Sequence, residues 1–119
     1  MYLQGDIIVV NYPFSDDLKK SKLRPAIIVS NQQSNSLDGD VLISPITSTI
    51  RESEFSYLLN DDDLISPLPK NSEIRCNKIT TIRSTLIVNK ISALKNLALE
   101  NVLTKIRSVF TLLPDNVKG

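Results

Sequence analysis

The 119-residue chain has no histidine, the side chain that most often moves protons near neutral pH. Histidine acid–base catalysis and the ordinary histidine-containing zinc sites are therefore excluded. There is one cysteine, Cys76, so no intrachain disulfide can form. That suits a reducing compartment, and a thiol without a histidine partner is a poor nucleophile. Cys76 is expected to be a small core residue of a strand. Excess charge is also missing: 14 basic and 13 acidic residues leave a net charge of +1. Any affinity for RNA or DNA must then come from local clustering. No apolar run approaches the length of a membrane span. The start, Met1-Tyr2-Leu3-Gln4-Gly5-Asp6, lacks the charged lead and apolar stretch of a signal peptide. A cytoplasmic protein that does not engage membranes is expected.

What is present suffices for one core. Apolar residues make up 41% of the chain, and no repeat, low-complexity segment or linker divides it, so residues 1–119 read as a single domain. Asp6 to Tyr12 is dense in β-branched residues and reads as a strand ended by Pro13. Ser15 to Leu23 is polar and reads as an exposed loop. Arg24 to Ser30 is a second strand, which Pro25 can open because a first residue need not donate to the ladder. Asn31 to Gly39 is a polar connection. Asp40 to Thr47 is a third strand, with Pro45 marking an edge or bulge. Phe55 to Leu59 is a short fourth.

Asn60 to Asn71 is a turn-rich surface excursion. Consecutive aspartates in a turn point apart, so Asp61-Asp62-Asp63 reads as a solvated acidic loop rather than a metal site. Glu73 to Ile82 alternates, with Ile74, Cys76 and Ile79 facing one way, and Leu86 to Ile91 is a further strand. Leu99, Val102, Leu103, Ile106, Val109, Phe110 and Leu113 follow helical spacing, with Asn96 as N-cap and Pro114 as stop. Lys105 and Arg107 fall on the polar side of this amphipathic helix, whose apolar side is expected to pack on the sheet. The fold class is mainly β with a C-terminal α-helix. A small, strongly bent antiparallel sheet forming a partly closed SH3-like β-barrel fits the prolines at strand ends better than a flat sheet.

Two contexts stand out: Lys22-Leu23-Arg24-Pro25-Ala26-Ile27-Ile28-Val29-Ser30 and Ser44-Pro45-Ile46-Thr47-Ser48. Each places a polar group, Arg24 or Thr47, at the mouth of a buried strand. A guanidinium grips phosphate oxygens in a planar two-point fashion, and an adjacent hydroxyl adds a donor. On residue logic alone, an arginine opening a strand is more often a salt-bridged rim residue, and a threonine ending one a cap.

These stretches, together with Gly5-Asp6-Ile7-Ile8-Val9-Val10, Tyr12-Pro13-Phe14 and, more weakly, Asn77-Lys78-Ile79-Thr80-Thr81-Ile82 and the closing helix, resemble the MazF/PemK family of toxin endoribonucleases. The resemblance spans nearly the whole chain, in order. It implies the MazF/PemK-like, CcdB-like version of the barrel, a symmetric homodimer and inhibition by a cognate antitoxin. It also implies cofactor-free, metal-independent cleavage of single-stranded RNA, such as mRNA, at short sequences, arresting translation and growth. Carried over, the catalytic positions are Arg24 and Thr47, with Lys19, Lys20, Lys22, Ser48, Asn77 and Lys78 as substrate contacts. The segment before the arginine, Asp16-Asp17-Leu18-Lys19-Lys20-Ser21-Lys22, departs from the glycine-rich loop of many relatives. Its lysines form either a solvated loop or an electrostatic hand on the RNA backbone.

RNA brings its own nucleophile, the 2′-hydroxyl. Arg24 would clamp the non-bridging oxygens and assist the leaving group, since a guanidinium that keeps its proton is a poor base. Thr47 would donate to the same phosphate or orient the attacking hydroxyl, with Ser48 assisting. No residue declares itself as general base. Base stacking, common in single-strand readers, has few candidates among Tyr2, Tyr12, Tyr57, Phe14, Phe55 and Phe110; Phe14 is best placed for stacking or for the core. The rival reading is a non-catalytic toxin or binding protein on the same barrel, of the gyrase-poisoning type. A weaker one is a degenerate toxin kept for its antitoxin.

Overall fold

A computed structural model describes residues 1–14, 17–116 and 118, of which 12–21 and 116 are described by backbone alone. Among the described residues seven strands and two α-helices follow one another: β1 (Asp6–Phe14), β2 (Asp17–Ile28), α1 (Gln32–Asp38), β3 (Asp40–Thr47), β4 (Ser56–Leu58), β5 (Glu73–Arg75), β6 (Thr80–Arg83), β7 (Ile87–Ala93) and α2 (Asn96–Val109). The sheet runs β4-β5-β3-β2-β1-β7, with β6 beside β5 on the same edge of β3. Every pairing is antiparallel. The register of β1 against β7 slips between Ile7 and Ile8 and again between Val9 and Val10, the kind of irregularity that sharpens bend and twist. The sheet does not close. Its two ends are drawn together by a bridge between Leu64 and Leu94 and by the Ile65 amide donating to the Ala93 carbonyl at 2.9 Å.

Because the sheet curls, both faces are covered. Ile7, Ile27, Ile46 and Ile74 pack under α2 with Val102 and Ile106, while Ile8, Val10, Ile28, Val41 and Ile43 fill the opposite face. Neighbours in sequence thus enter different clusters, which is why the strands read as unbroken β-branched runs rather than alternating ones. Each fully buried isoleucine contributes about 2 kcal/mol by removal from water. Gly5 makes the entry to β1 possible. Its φ is +90°, and a Cβ there would lie 2.9 Å from the Leu99 side chain on α2. Asp6 then accepts the Leu3 amide at 2.8 Å and pairs with Lys90 at 3.1 Å, tying the terminus to β7.

Several sequence expectations change. Residues 17–23, expected as exposed loop, form an arm of β2 whose backbone pairs with β1 from Tyr12–Lys22 through Val10–Arg24. Ladder bonds satisfy that backbone whatever its side chains, so polarity does not preclude a hairpin arm. The polar connection after β2 contains α1. The Asn31 side chain caps it by accepting the Ser34 amide, and Gly39 ends it at φ 75°. The expected 73–82 strand is two strands separated by a turn at Cys76–Asn77.

That break matches Pro45. On that edge β3 pairs with β6 up to Ile43 and with β5 from Ile46, so the residue lacking an N–H sits where the ladder is interrupted. At α2 the N-cap is Lys95 and Asn96 is already helical. The buried stripe is Ala98, Val102 and Ile106, while Phe110 and Leu113, expected in the core, are 72% and 52% exposed. Phe110 is already the C-cap, its amide donating to the Arg107 carbonyl and the Thr111 amide to the Ser108 carbonyl, so the helical stripe ends before it.

Candidate active site

β2 and β3 deliver Arg24 and Thr47 to one place. The last pair of their ladder is Ala26 with Pro45. Two residues further along each strand, antiparallel register sets Arg24 across from Thr47 with both side chains on the same face. Arg24 precedes a proline, which holds its backbone extended. A groove of about 360 Å³ opens here, lined by Lys22, Arg24 and Pro25 on β2, Ile46 and Thr47 on β3, then Ser48, with Pro69, Lys70 and Ser72 opposite. Arg24 and Ser48 are exposed and Thr47 is half-buried. The described lining residues include Lys22, Arg24 and Lys70 but no carboxylate, so the groove favours an anion.

The hydroxyl of Thr47 is oriented. Its oxygen accepts the Thr49 amide at 3.1 Å, which leaves its proton and a second lone pair for a ligand. The segment leaving Thr47 is held from below by Glu73, which is 0% exposed and pairs with Thr47 in the β3–β5 register. Its carboxylate accepts the Arg51 and Glu52 amides at 3.1 and 3.2 Å and the Ser56 hydroxyl at 3.1 Å, and it pairs with Arg75 Nε at 3.1 Å. Burial pushes the Glu73 carboxyl pKa up. The Glu52 and Arg51 amides, the Ser56 hydroxyl and the Arg75 guanidinium outweigh it and hold the group below its ordinary value.

Of the expected site residues, Arg24, Thr47, Ser48 and Lys22 meet in the groove. Asn77 and Lys78 do not line it. They are exposed at the turn after β5, where the Lys78 amide donates to the Arg75 carbonyl at 3.2 Å. The side chains of Lys19, Lys20 and Phe14 lie outside the described residues. Sequence reading missed Lys70, whose signal was the stiff Pro67-Leu68-Pro69 segment delivering a cation. It also missed Glu73, whose signal was an acid and a base two apart on a strand, hence on one face.

Cys76 is buried, and burial, partly offset by Lys105, pushes its thiol up to about 11, where no useful thiolate exists at neutral pH. Asp61–Asp63 form a single 3₁₀ turn, in which Asp63 accepts the Asn60 amide at 3.0 Å. Among the described residues no group of acidic or cysteine side chains could hold a metal, and no helix is long and apolar enough to cross a membrane.

The same fold recurs in solved structures. An endoribonuclease in complex with its cognate antitoxin, from a mycobacterial species, superposes with a TM-score of 0.76 at 16% identity, covering 92% of this chain and 95% of that one. A MazE–MazF structure from Deinococcus radiodurans gives 0.75 at 16% identity over 92% and 95%. The Mycobacterium tuberculosis toxin MazF-mt6 gives 0.68 at 22% identity over 88% and 95%. No curated protein gives a significant sequence match. The family described as PemK-like, MazF-like toxin of type II toxin–antitoxin systems matches residues 3–110, which takes in the groove, the whole curled sheet and α2. By that match the chain belongs to the PemK-like, MazF-like toxins of type II toxin–antitoxin systems.

Proposed function

We propose that this toxin is a metal-independent endoribonuclease that cleaves single-stranded RNA, mRNA among it, at short sequences. The observation that carries this is the meeting of Arg24 and Thr47 in one groove whose described lining holds three cations and no carboxylate. A phosphodiester in that groove meets the Arg24 guanidinium on its non-bridging oxygens. The Thr47 hydroxyl, whose oxygen already accepts the Thr49 amide, has its proton to donate to the same phosphate. The adjacent 2′-hydroxyl gives up its proton to solvent as its oxygen attacks phosphorus; the 2′-O–P bond forms, the P–O5′ bond breaks, and the departing 5′-oxygen takes a proton back from solvent. A 2′,3′-cyclic phosphate and a 5′-hydroxyl result. Alignment of the 2′-hydroxyl and stabilisation of the crowded anion supply the acceleration. Ser48, Lys22 and Lys70 hold the flanking backbone. Solved relatives described as endoribonucleases, one of them bound to its cognate antitoxin, support the same reading.

The partner is a cognate antitoxin whose extended, acidic segment covers the cationic groove. The toxin acts in the cytoplasm as a homodimer. The test is RNA cleavage by purified protein with excess chelator, alongside the same RNA carrying one 2′-deoxy sugar at the scissile position. Cleavage of the first alone, with cyclic-phosphate and 5′-hydroxyl ends, is expected. Cleavage of the deoxy substrate, or loss of activity in chelator, overturns the mechanism. Intact RNA with stalled DNA supercoiling replaces it with the gyrase-poisoning alternative.

A further inference from the structure

A carboxylate removed from solvent is retained only where its surroundings compensate the lost hydration. For Glu73 that compensation comes largely from one segment. The Arg51 amide, the Glu52 amide and the Ser56 hydroxyl all lie on the stretch that follows Thr47 and Ser48. Glu52 is held there at φ 50°, a left-handed conformation that a non-glycine residue enters only when its surroundings enforce it. The remaining partner, Arg75 Nε, meets the carboxylate as an ion pair at 3.1 Å and belongs to a guanidinium whose Nη2 reaches the Thr49 carbonyl at 3.4 Å, and the Thr49 amide in turn donates to Thr47 Oγ1 at 3.1 Å. Contacts therefore run without a gap from the Glu73 carboxylate to the hydroxyl in the groove.

We propose that Glu73, together with Arg75, is a positioning residue for catalysis: it clamps residues 49–56 and thereby aims the Thr47 hydroxyl at the scissile phosphate. This rests on the ribonuclease reading above. Neither residue is among those that line the groove. The clamp needs an acceptor on both carboxylate oxygens. Glu73→Gln keeps the shape but turns one acceptor into a donor facing backbone N–H groups, so the segment loosens and Thr47 loses its fixed direction. Misplacement on the ångström scale is expected to lower kcat by about 10²-fold. Binding of RNA, carried by Lys22, Arg24 and Lys70, changes little.

The experiment measures kcat and KM for RNA cleavage, affinity for the uncleavable 2′-deoxy RNA, and amide hydrogen exchange at Arg51 and Glu52, in wild type and E73Q. Expected are a kcat loss of about 10²-fold, KM and affinity within about threefold, and faster exchange at both amides. A folded E73Q with wild-type kcat, or with unchanged exchange, overturns the proposal. Should E73Q not fold, Arg75→Gln decides it. Arg75 is the charged side chain paired with Glu73. Arg51 and Glu52 contribute amides while their side chains are exposed, and β3 and β4 present the neutral Thr47 and Ser56. Without the guanidinium the carboxylate protonates more readily, so the acidic limb of kcat moves to higher pH; an unmoved limb overturns the proposal. A wild type that cleaves no RNA sinks the ribonuclease reading, while amide exchange still reports on the clamp.

Discussion

The two strand walls of the groove each present one functional side chain, and they hold it by different means. Arg24 rides on β2, where the ladder to β1 and the following Pro25 set its backbone. Thr47 stands at the end of β3, where the ladder to β2 has already stopped, and its hydroxyl is set by Thr49, Arg75 and Glu73. One wall takes its placement from main-chain topology; the other takes its backbone from the β3–β5 ladder and the direction of its hydroxyl from a buried polar network. A wall of the first kind tolerates changes around it, because removing a neighbouring side chain leaves the ladder intact. A wall of the second kind fails as a unit, because a half-satisfied network is worse than none.

The largest effects come from removing the two groups themselves. Arg24→Ala is expected to lower kcat by about 10³-fold, since a charge-assisted two-point grip on the phosphate is lost, and Thr47→Ala by about 10²-fold, as for loss of one preorganised donor. Arg24 is exposed and Thr47 half-buried, so both variants should melt near the wild-type temperature. Thr47→Ser keeps the hydroxyl and should recover most of the rate. Steady-state kinetics with thermal melts check all three. Wild-type rates in both alanine variants would mean the groove is not where RNA is cut.

Next comes acid stability, which touches only the networked wall. Glu73 has its carboxyl held below the ordinary value in the folded protein. Its contribution is therefore fully present above the ordinary carboxylate range and disappears as pH falls through the lowered folded value. Wild type should lose melting temperature below about pH 4.5 more steeply than E73Q, whose amide does not titrate. Parallel curves would show that the carboxylate is not charged in the fold.

The contrast between the walls also separates what could be read in the sequence from what could not. Arg24 and Thr47 were legible as polar groups at the mouths of buried strands, while a catalytic role for them came only from the family resemblance; the β3 limits, Asp40 and Thr47, follow from the strand pattern. The curled sheet and the closing helix were legible from periodicity. The 17–23 arm was not, because its pairing with β1 is a tertiary fact that its lysines and serines conceal. α1 carries an N-cap and a terminal glycine but no apolar stripe to announce it. Glu73 was hidden most completely. A glutamate in a strand ordinarily faces water, and only the fold shows that residues 51–56 cover it. The groove's far side, Lys70, was concealed in the same way, inside a segment read as surface excursion.

That far side gives a smaller effect, on affinity rather than rate. Lys70 faces the groove opposite β2, and neutralising one phosphate contact to single-stranded RNA should flatten the slope of log affinity against log salt by about 0.7. Lys70→Ala and Lys22→Ala should each do so with kcat nearly unchanged, measured on the uncleavable 2′-deoxy RNA. A slope equal to wild type would remove that lysine from the RNA path.

The smallest effect is expected at Asn77 and Lys78, and it tests whether the two walls are the whole site. β5 runs antiparallel to β3, so following it from Glu73, opposite Thr47, through Arg75 leads away from the groove. The chain then turns at Cys76–Asn77, where the buried Cys76 anchors the turn and Asn77 and Lys78 face solvent. Asn77→Ala and Lys78→Ala should each leave kcat/KM within about twofold, the scale of surface substitutions remote from a site. A loss of tenfold or more on short RNA would place a substrate contact at the β5–β6 turn. The bound strand would then have to run past the Glu73–Arg75 clamp, and that clamp would border the substrate path instead of lying behind it.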